Sequence, residues 1–108
     1  MSTVYLDRCS KYEDVMDALS PIWEKMNASE VVKDKKVLIK ANLTKGGPVD
    51  WAVATHPDFV AALVRLVRQA GGHPYIGDSC SIYGFNMHPH NSIFNRSCWK
   101  FVSGFLIK

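Results

Sequence analysis

Residues 36–79, KVLIKANLTKGGPVDWAVATHPDFVAALVRLVRQAGGHPYIGDS, constrain the chain more than any other stretch. They read as strand, long loop, helix and strand, and their length accommodates one βαβ unit, which takes roughly 30 residues or more. Residues 37–42 are apolar and β-branched without clean alternation, the pattern of a strand covered on both faces. Residues 75–78 form a second, shorter run behind Pro74, a residue tolerated at the start of a strand and not in its middle. Between the two runs, residues 57–70 repeat Phe59, Val60, Leu63, Val64, Leu66 and Val67 at helical spacing, which predicts a helix with one wide apolar face. A strand, a crossover helix and a parallel strand bring both strand ends to one edge. That edge is where a site is expected.

A β-α pair is expected before this unit. Residues 3–8, TVYLDR, alternate as a short strand with Val4 and Leu6 on one side and Tyr5 on the other. Ser10 and Glu13 have capping-box spacing, and Val15, Met16, Leu19, Ile22, Trp23 and Met26 continue at helical spacing, with a kink or restart expected at Ser20-Pro21. Residues 27–36 read as a solvated connection whose Lys33, Lys35 and Lys36 serve solubility. If the first strand joins the sheet in parallel, its end, with Cys9 just past it, shares the edge already identified. Residues 43–54 then form a loop of a length usually reserved for function, containing Gly46, Gly47 and Pro48 with apolar Trp51 and Val53. Thr55 and Asp58 repeat the capping spacing, Pro57 fits the first helical turn, and Gly71 and Gly72 are expected as left-handed caps at the far end.

Length and composition set bounds. A chain of 108 residues holds one domain with a workable core. No apolar run approaches the roughly 18 residues of a membrane span, and the acid-containing N-terminus lacks a secretory apolar region, so a cytoplasmic protein without membrane partners is expected. The net charge of +3 comes from Arg96, Lys100 and Lys108, because residues 1–78 carry ten basic and ten acidic side chains. Three dispersed charges do not make a basic stripe, and no nucleic acid is expected as a partner. Cys9, Cys80 and Cys98 match neither a paired disulfide framework nor a C-x-x-C pattern. They read first as reduced thiols that pack as small apolar groups. From Ser81 onward the sequence loses any sustained period.

In open α/β sheets, ligands bind beyond the carboxyl ends of the strands. Lys40 and Asn42 share one face at the end of the first strand, and Asp78, Ser79 and Cys80 leave the second on the same edge. Thr55 and His56 open the helix between, an end with partial positive charge suited to an anion. A small anionic ligand, phosphate or carboxylate, is the simplest occupant, with Asp78 pairing Lys40 or binding a metal or hydroxyl. Each residue also has a plainer role: Lys40 and Asp78 as a structural ion pair, Thr55 and Asp58 as caps, His56 as a helix-start histidine. Cys9 and Cys80 together offer a metal two thiolates, half of what an iron–sulfur site takes. His88 and His90 offer another pair without a third ligand. Dinucleotide, P-loop, nucleophile-elbow and H-E-x-x-H motifs are absent, so those enzyme classes lose their support.

KKVLIKANL, then ATHPDFVAALVRLVRQAGG, then YIGDS resemble the domain-of-unknown-function family 362, and VYLDRCSKYEDVMDAL resembles that family's first strand and helix. The resemblance covers about residues 3–79. Lys40, Asn42, Thr55, His56, Pro57, Gly77, Asp78 and Ser79 match motif residues, whereas Ala41 stands where a proline is usual and Cys80 where a small residue or proline is usual. The resemblance implies cytosolic proteins without an agreed activity, often longer than this chain, many with a ferredoxin-type module holding 4Fe-4S clusters. The C-x-x-C-x-x-C run of such a module is absent here. The expected fold is therefore α/β, the βα-βαβ portion of a mostly parallel three-layer sheet. It is divided into an N-terminal family part at 1–81 and an irregular tail at 82–108 without family resemblance, the whole read as truncated. Two functions follow: an anion- or metal-linked ligand site of a protein tied to iron–sulfur redox partners, or a non-enzymatic α/β module that self-associates or docks a partner chain.

Overall fold

In the computed structural model, which describes residues 1–42 and 55–77, a 3₁₀ turn at Tyr12–Asp14 leads into helices α1 (Val15–Lys25) and α2 (Ala28–Val32). Strand β1 (Lys36–Lys40), helix α3 (Pro57–Gln69) and strand β2 (His73–Gly77) complete the order. β1 and β2 pair in parallel, with Lys36 opposite His73, Leu38 opposite Tyr75 and Lys40 opposite Gly77. α3 is the crossover between them, as the pattern of residues 36–79 predicts.

The core forms where α3 meets the sheet. Val60, Val64 and Val67, at positions i, i+4 and i+7, are the most deeply buried large side chains. Ile39 and Ala41 of the β1 segment are buried as well. Burying one such valine stabilises the fold by about 1.5–3 kcal/mol relative to leaving it in water. Ala61 and Ala62 are buried too, and α1 packs on α3 with Val15 as its buried residue. The layers therefore run sheet, α3, α1.

Both ends of α3 are closed by local chemistry. At the C-terminus, Gly71 lies at φ +82, its N–H donates to Arg68 O, and Gly72 N–H donates to Val67 O, the paired bonds of a Schellman motif. Gly72 serves differently from the second left-handed cap expected of it. A Cβ there would stand 2.8 Å from both Val32 O and Val67 Cγ1, so glycine is what lets α2 approach α3. At the N-terminus, His56 is the cap residue, and its Nδ1 accepts from Asp58 N–H.

Five expectations are corrected. Residues 3–8 form no strand; Val4 and Leu6 are 85% and 93% exposed, and alternation alone does not hold a strand that lacks a hydrogen-bonded neighbour. The Ser10/Glu13 box does not close: Lys11 occupies the cap position of the 3₁₀ turn and no side chain bonds there. The connection at 27–36 contains α2, which buries Val32 and is tied by Trp23 Nε1 donating to Ser29 Oγ at 2.8 Å. β1 is not covered on both faces, because Lys36, Leu38 and Lys40 are exposed while Ile39 is buried, and no described element lies on that side of the sheet. α1 continues through Pro21, with Ser20 Oγ donating back to Met16 O at 2.7 Å.

Pro74 sits second in β2 rather than ahead of it. His73 N–H donates to Lys35 O, so the groups of Pro74, one residue on, point away from β1. The missing N–H costs the ladder nothing.

Candidate functional site

The edge is built from the end of β1 upward. Ala41 N–H turns back to Ile39 O at 3.1 Å, a tight three-residue turn that a proline at this position would not make. Asn42 and Thr55 then clasp each other: Asn42 N–H donates to Thr55 Oγ1 at 2.9 Å, and Thr55 N–H donates to Asn42 O at 3.0 Å. The clasp fixes the entry to α3 beside the exit from β1. Thr55 therefore serves the strand end, not the helix cap for which its spacing to Asp58 suits it.

Lys40 is the last residue of β1 and is exposed, on the sheet face opposite α3. Its register partner is Gly77, which has no side chain. A Cβ at position 77 would stand 3.3 Å from Leu38 Cδ1, which shows how closely β1 side chains lie across this end of β2.

His56 carries two contacts at once. Its ring stacks on Tyr12 with centroids 3.7 Å apart and planes 5° from parallel, and Nδ1 accepts from Asp58 N–H at 3.1 Å. The same Nδ1 lies 4.0 Å from Asp58 Oδ2. One nitrogen cannot both accept from the amide and hold the proton of an ion pair. The shorter contact makes Nδ1 the acceptor of the Asp58 amide. With its side chain 18% exposed, His56 is more a clamp between the N-terminal segment and α3 than an open base.

That arrangement changes the expected electrostatics. Pro57 has no N–H, Asp58 N–H goes to His56 Nδ1, and the N–H groups of Phe59 and Val60 both go to His56 O. The first turn of α3 thus offers an anion no open donor, and the Asp58 carboxylate already occupies the positive end of the helix. Among the described residues, positive charge at the rim comes from Lys40.

Cys9 is exposed, donates Sγ–H to Lys11 O at 3.0 Å, and precedes Tyr12 by three residues, so it reaches this end of α3 along coil and not from a strand. Asp78, Ser79 and Cys80 lie outside the described residues, as do His88 and His90. Among the described residues no group of three or more His, Cys, Asp or Glu is placed to hold a metal. The widely spaced cysteines and the single bonded thiol at Cys9 do not fit a 4Fe-4S cluster, which takes four thiolates. A groove of about 210 Å³ between the 3₁₀ turn and α3 has Glu13, Asp58 and Arg65 at its margin over Val15, Met16 and Ala61. It is below the roughly 300 Å³ at which small-molecule pockets begin.

Tyr12 is the residue that pattern reasoning misses. Its stacking partner is 44 positions away, and nothing in the local spacing signals a contact of that range.

A family model described as "Domain of unknown function (DUF362)" matches residues 37–103. The match includes β2 and α3 and continues past residue 79, where the resemblance read from the motifs ends. A relative, thylakoid-associated protein sll1697 of Synechocystis sp. (strain ATCC 27184 / PCC 6803 / Kazusa), is 46% identical over 44 residues, covering 41% of this chain and 14% of that protein. The chain thus aligns with a small part of the relative's length. No solved structure matches. With the family model spanning more than half of the chain, across the crossover helix and the strands it joins, the protein belongs to the family described as Domain of unknown function (DUF362).

Proposed function

We propose that this chain binds a small anionic ligand, a phosphate or carboxylate group, at the rim where β1 and β2 end. The observation that supports this most is the register of Lys40 with Gly77, which sets the cation that closes β1 beside the end of β2. Lys40 supplies the charge. Thr55 Oγ1 accepts from the Asn42 amide and still holds a hydrogen to donate, and the Asn42 side chain adds an amide next to it. His56 is a positioning residue through its stack and cap. Asp78 and Ser79 follow Gly77 in sequence; in this proposal Ser79 donates to the anion and Asp78 holds a hydroxyl or a bridging metal. Cys9 and Cys80 are the thiols for such a metal, and any iron–sulfur chemistry belongs to a partner protein.

Titration calorimetry and thermal unfolding with inorganic phosphate, acetate, Fe²⁺ and Zn²⁺ test this. A ligand at about ten times its dissociation constant stabilises by roughly 1.4 kcal/mol, which is a shift of several degrees for a domain of this size. Lys40→Ala should abolish the phosphate shift, Lys40→Arg should keep most of it, and Asp78→Ala should remove any metal shift. Equal shifts in the parent and both alanine variants would discard the rim as the site.

A further inference from the structure

His56 Nδ1 stands between two groups of one residue: the Asp58 N–H at 3.1 Å, from which it accepts, and Asp58 Oδ2 at 4.0 Å. The amide is a donor and the carboxylate an acceptor, so a proton on Nδ1 decides which of them the ring can use. With a lone pair there, the ring caps α3 and lies flat on Tyr12. With a proton there, two hydrogens face each other across 3.1 Å and a cation stands at the positive end of a 13-residue helix. Histidine is the side chain that gains such a proton near neutrality.

We infer that protonation of His56 opens the clamp: the ring turns from the Asp58 amide to the Asp58 carboxylate and leaves Tyr12, so that residues 1–14 come away from α3 in mild acid. Donating to Oδ2 closes the 4.0 Å separation to about 2.8 Å. The stacked rings are 3.7 Å apart and 5° from parallel, so a turn of that size drives the edge of the imidazole into the phenol. Little else holds the segment. Residues 1–14 are all exposed, and the Tyr5 hydroxyl reaches Lys25 O at 3.4 Å, beyond the usual range of such a bond. Val15, buried against α3, marks where the release stops. Among the described residues, the titratable and charged groups around the ring are the Tyr12 phenol and Glu13 on the 3₁₀ turn, and Asp58 and Arg65 on α3. Lys11 lies 3.7 Å from Glu13, and Lys40 is on the face of the sheet away from α3. The inference makes no use of an anion at the rim.

Nuclear magnetic resonance of the whole chain, with its histidine nitrogens labelled, tests this at about pH 8 and about pH 5. At the higher pH, His56 Nδ1 should carry no proton and its ring should show a nuclear Overhauser effect to Tyr12. At the lower pH both ring nitrogens should be protonated, the effect to Tyr12 should be lost, and the amides of residues 1–14 should move to random-coil shifts while α3 stays helical. His56→Asn supplies a cap that does not titrate, and its residues 1–14 should give the same shifts at both pH values. Tyr12→Phe keeps the ring and should follow the parent. Asp58→Asn removes the carboxylate and should hold the Tyr12 contact to lower pH than the parent does. Persistence of the Tyr12 contact with a doubly protonated ring would overturn the inference. So would a ring that takes up no proton by about pH 5, a pH response of residues 1–14 that survives His56→Asn, or loss of the contact at the same pH in Asp58→Asn and the parent.

Discussion

The two faces of the β1–β2 pair are made by alternate residues of the same ten-residue ribbon, yet they obey different rules. Val37, Ile39, Pro74 and Ile76 turn toward α3 and are half-buried or buried; Leu38 and Tyr75 turn the other way and are open. Both sets are apolar, so hydropathy does not separate them. What separates them is the presence of a helix on one side, and the comparison teaches that an apolar strand run marks a surface meant for cover without saying what provides the cover.

The contrast can be broken most severely from the covered side. Val64→Asp puts an unpaired carboxylate among wholly buried valines, a penalty of several kcal/mol against a total stability of about 5–15 kcal/mol for domains in general. No cooperative unfolding transition should remain in circular dichroism. Gly72→Ala comes next, since its Cβ would fall 2.8 Å from the Val32 backbone oxygen. Urea denaturation should show a loss of about 1–3 kcal/mol. Val60→Ala leaves a void under the sheet and should cost about 2 kcal/mol by the same measurement. Thr55→Val removes the acceptor of Asn42 N–H and should cost about 1 kcal/mol. Leu38→Thr on the bare face should change stability by no more than about 0.5 kcal/mol. A cost for Leu38→Thr equal to that of Val60→Ala would mean the two faces are alike in solution, and the comparison would fail.

What the sequence makes legible follows from the range of the interactions involved. α3 is readable because Val60, Val64 and Val67 repeat within one helix and because Pro57 and Gly71 punctuate its ends; the observed span, Pro57–Gln69, stops one residue short of the expected end. The parallel pairing is readable because a crossover helix leaves few alternatives. Residues 3–8 mislead because strand propensity is realised only against a neighbour, and Val4 and Leu6 have none. α2 is hidden because five residues carry too little periodicity against their polar flanks. At the site, Lys40 and Asn42 are legible as strand-end residues. The cap of α3 is not, since the Thr55 hydroxyl answers Asn42 from across a loop while His56 takes over the helix end. Spacing proposes a partner for a hydroxyl; tertiary competition decides whether it gets one.

Pro74 has a consequence for growth of the sheet. The backbone groups that β2 directs outward begin with a position lacking a hydrogen, so a newcomer strand on that flank would meet a gap in the donor row. On the opposite flank, Lys36, Leu38 and Lys40 direct intact amides and carbonyls away from β2. The ribbon is polarised sideways: among the described residues, the flank beyond β2 has a gap in its donors that the flank beside β1 lacks.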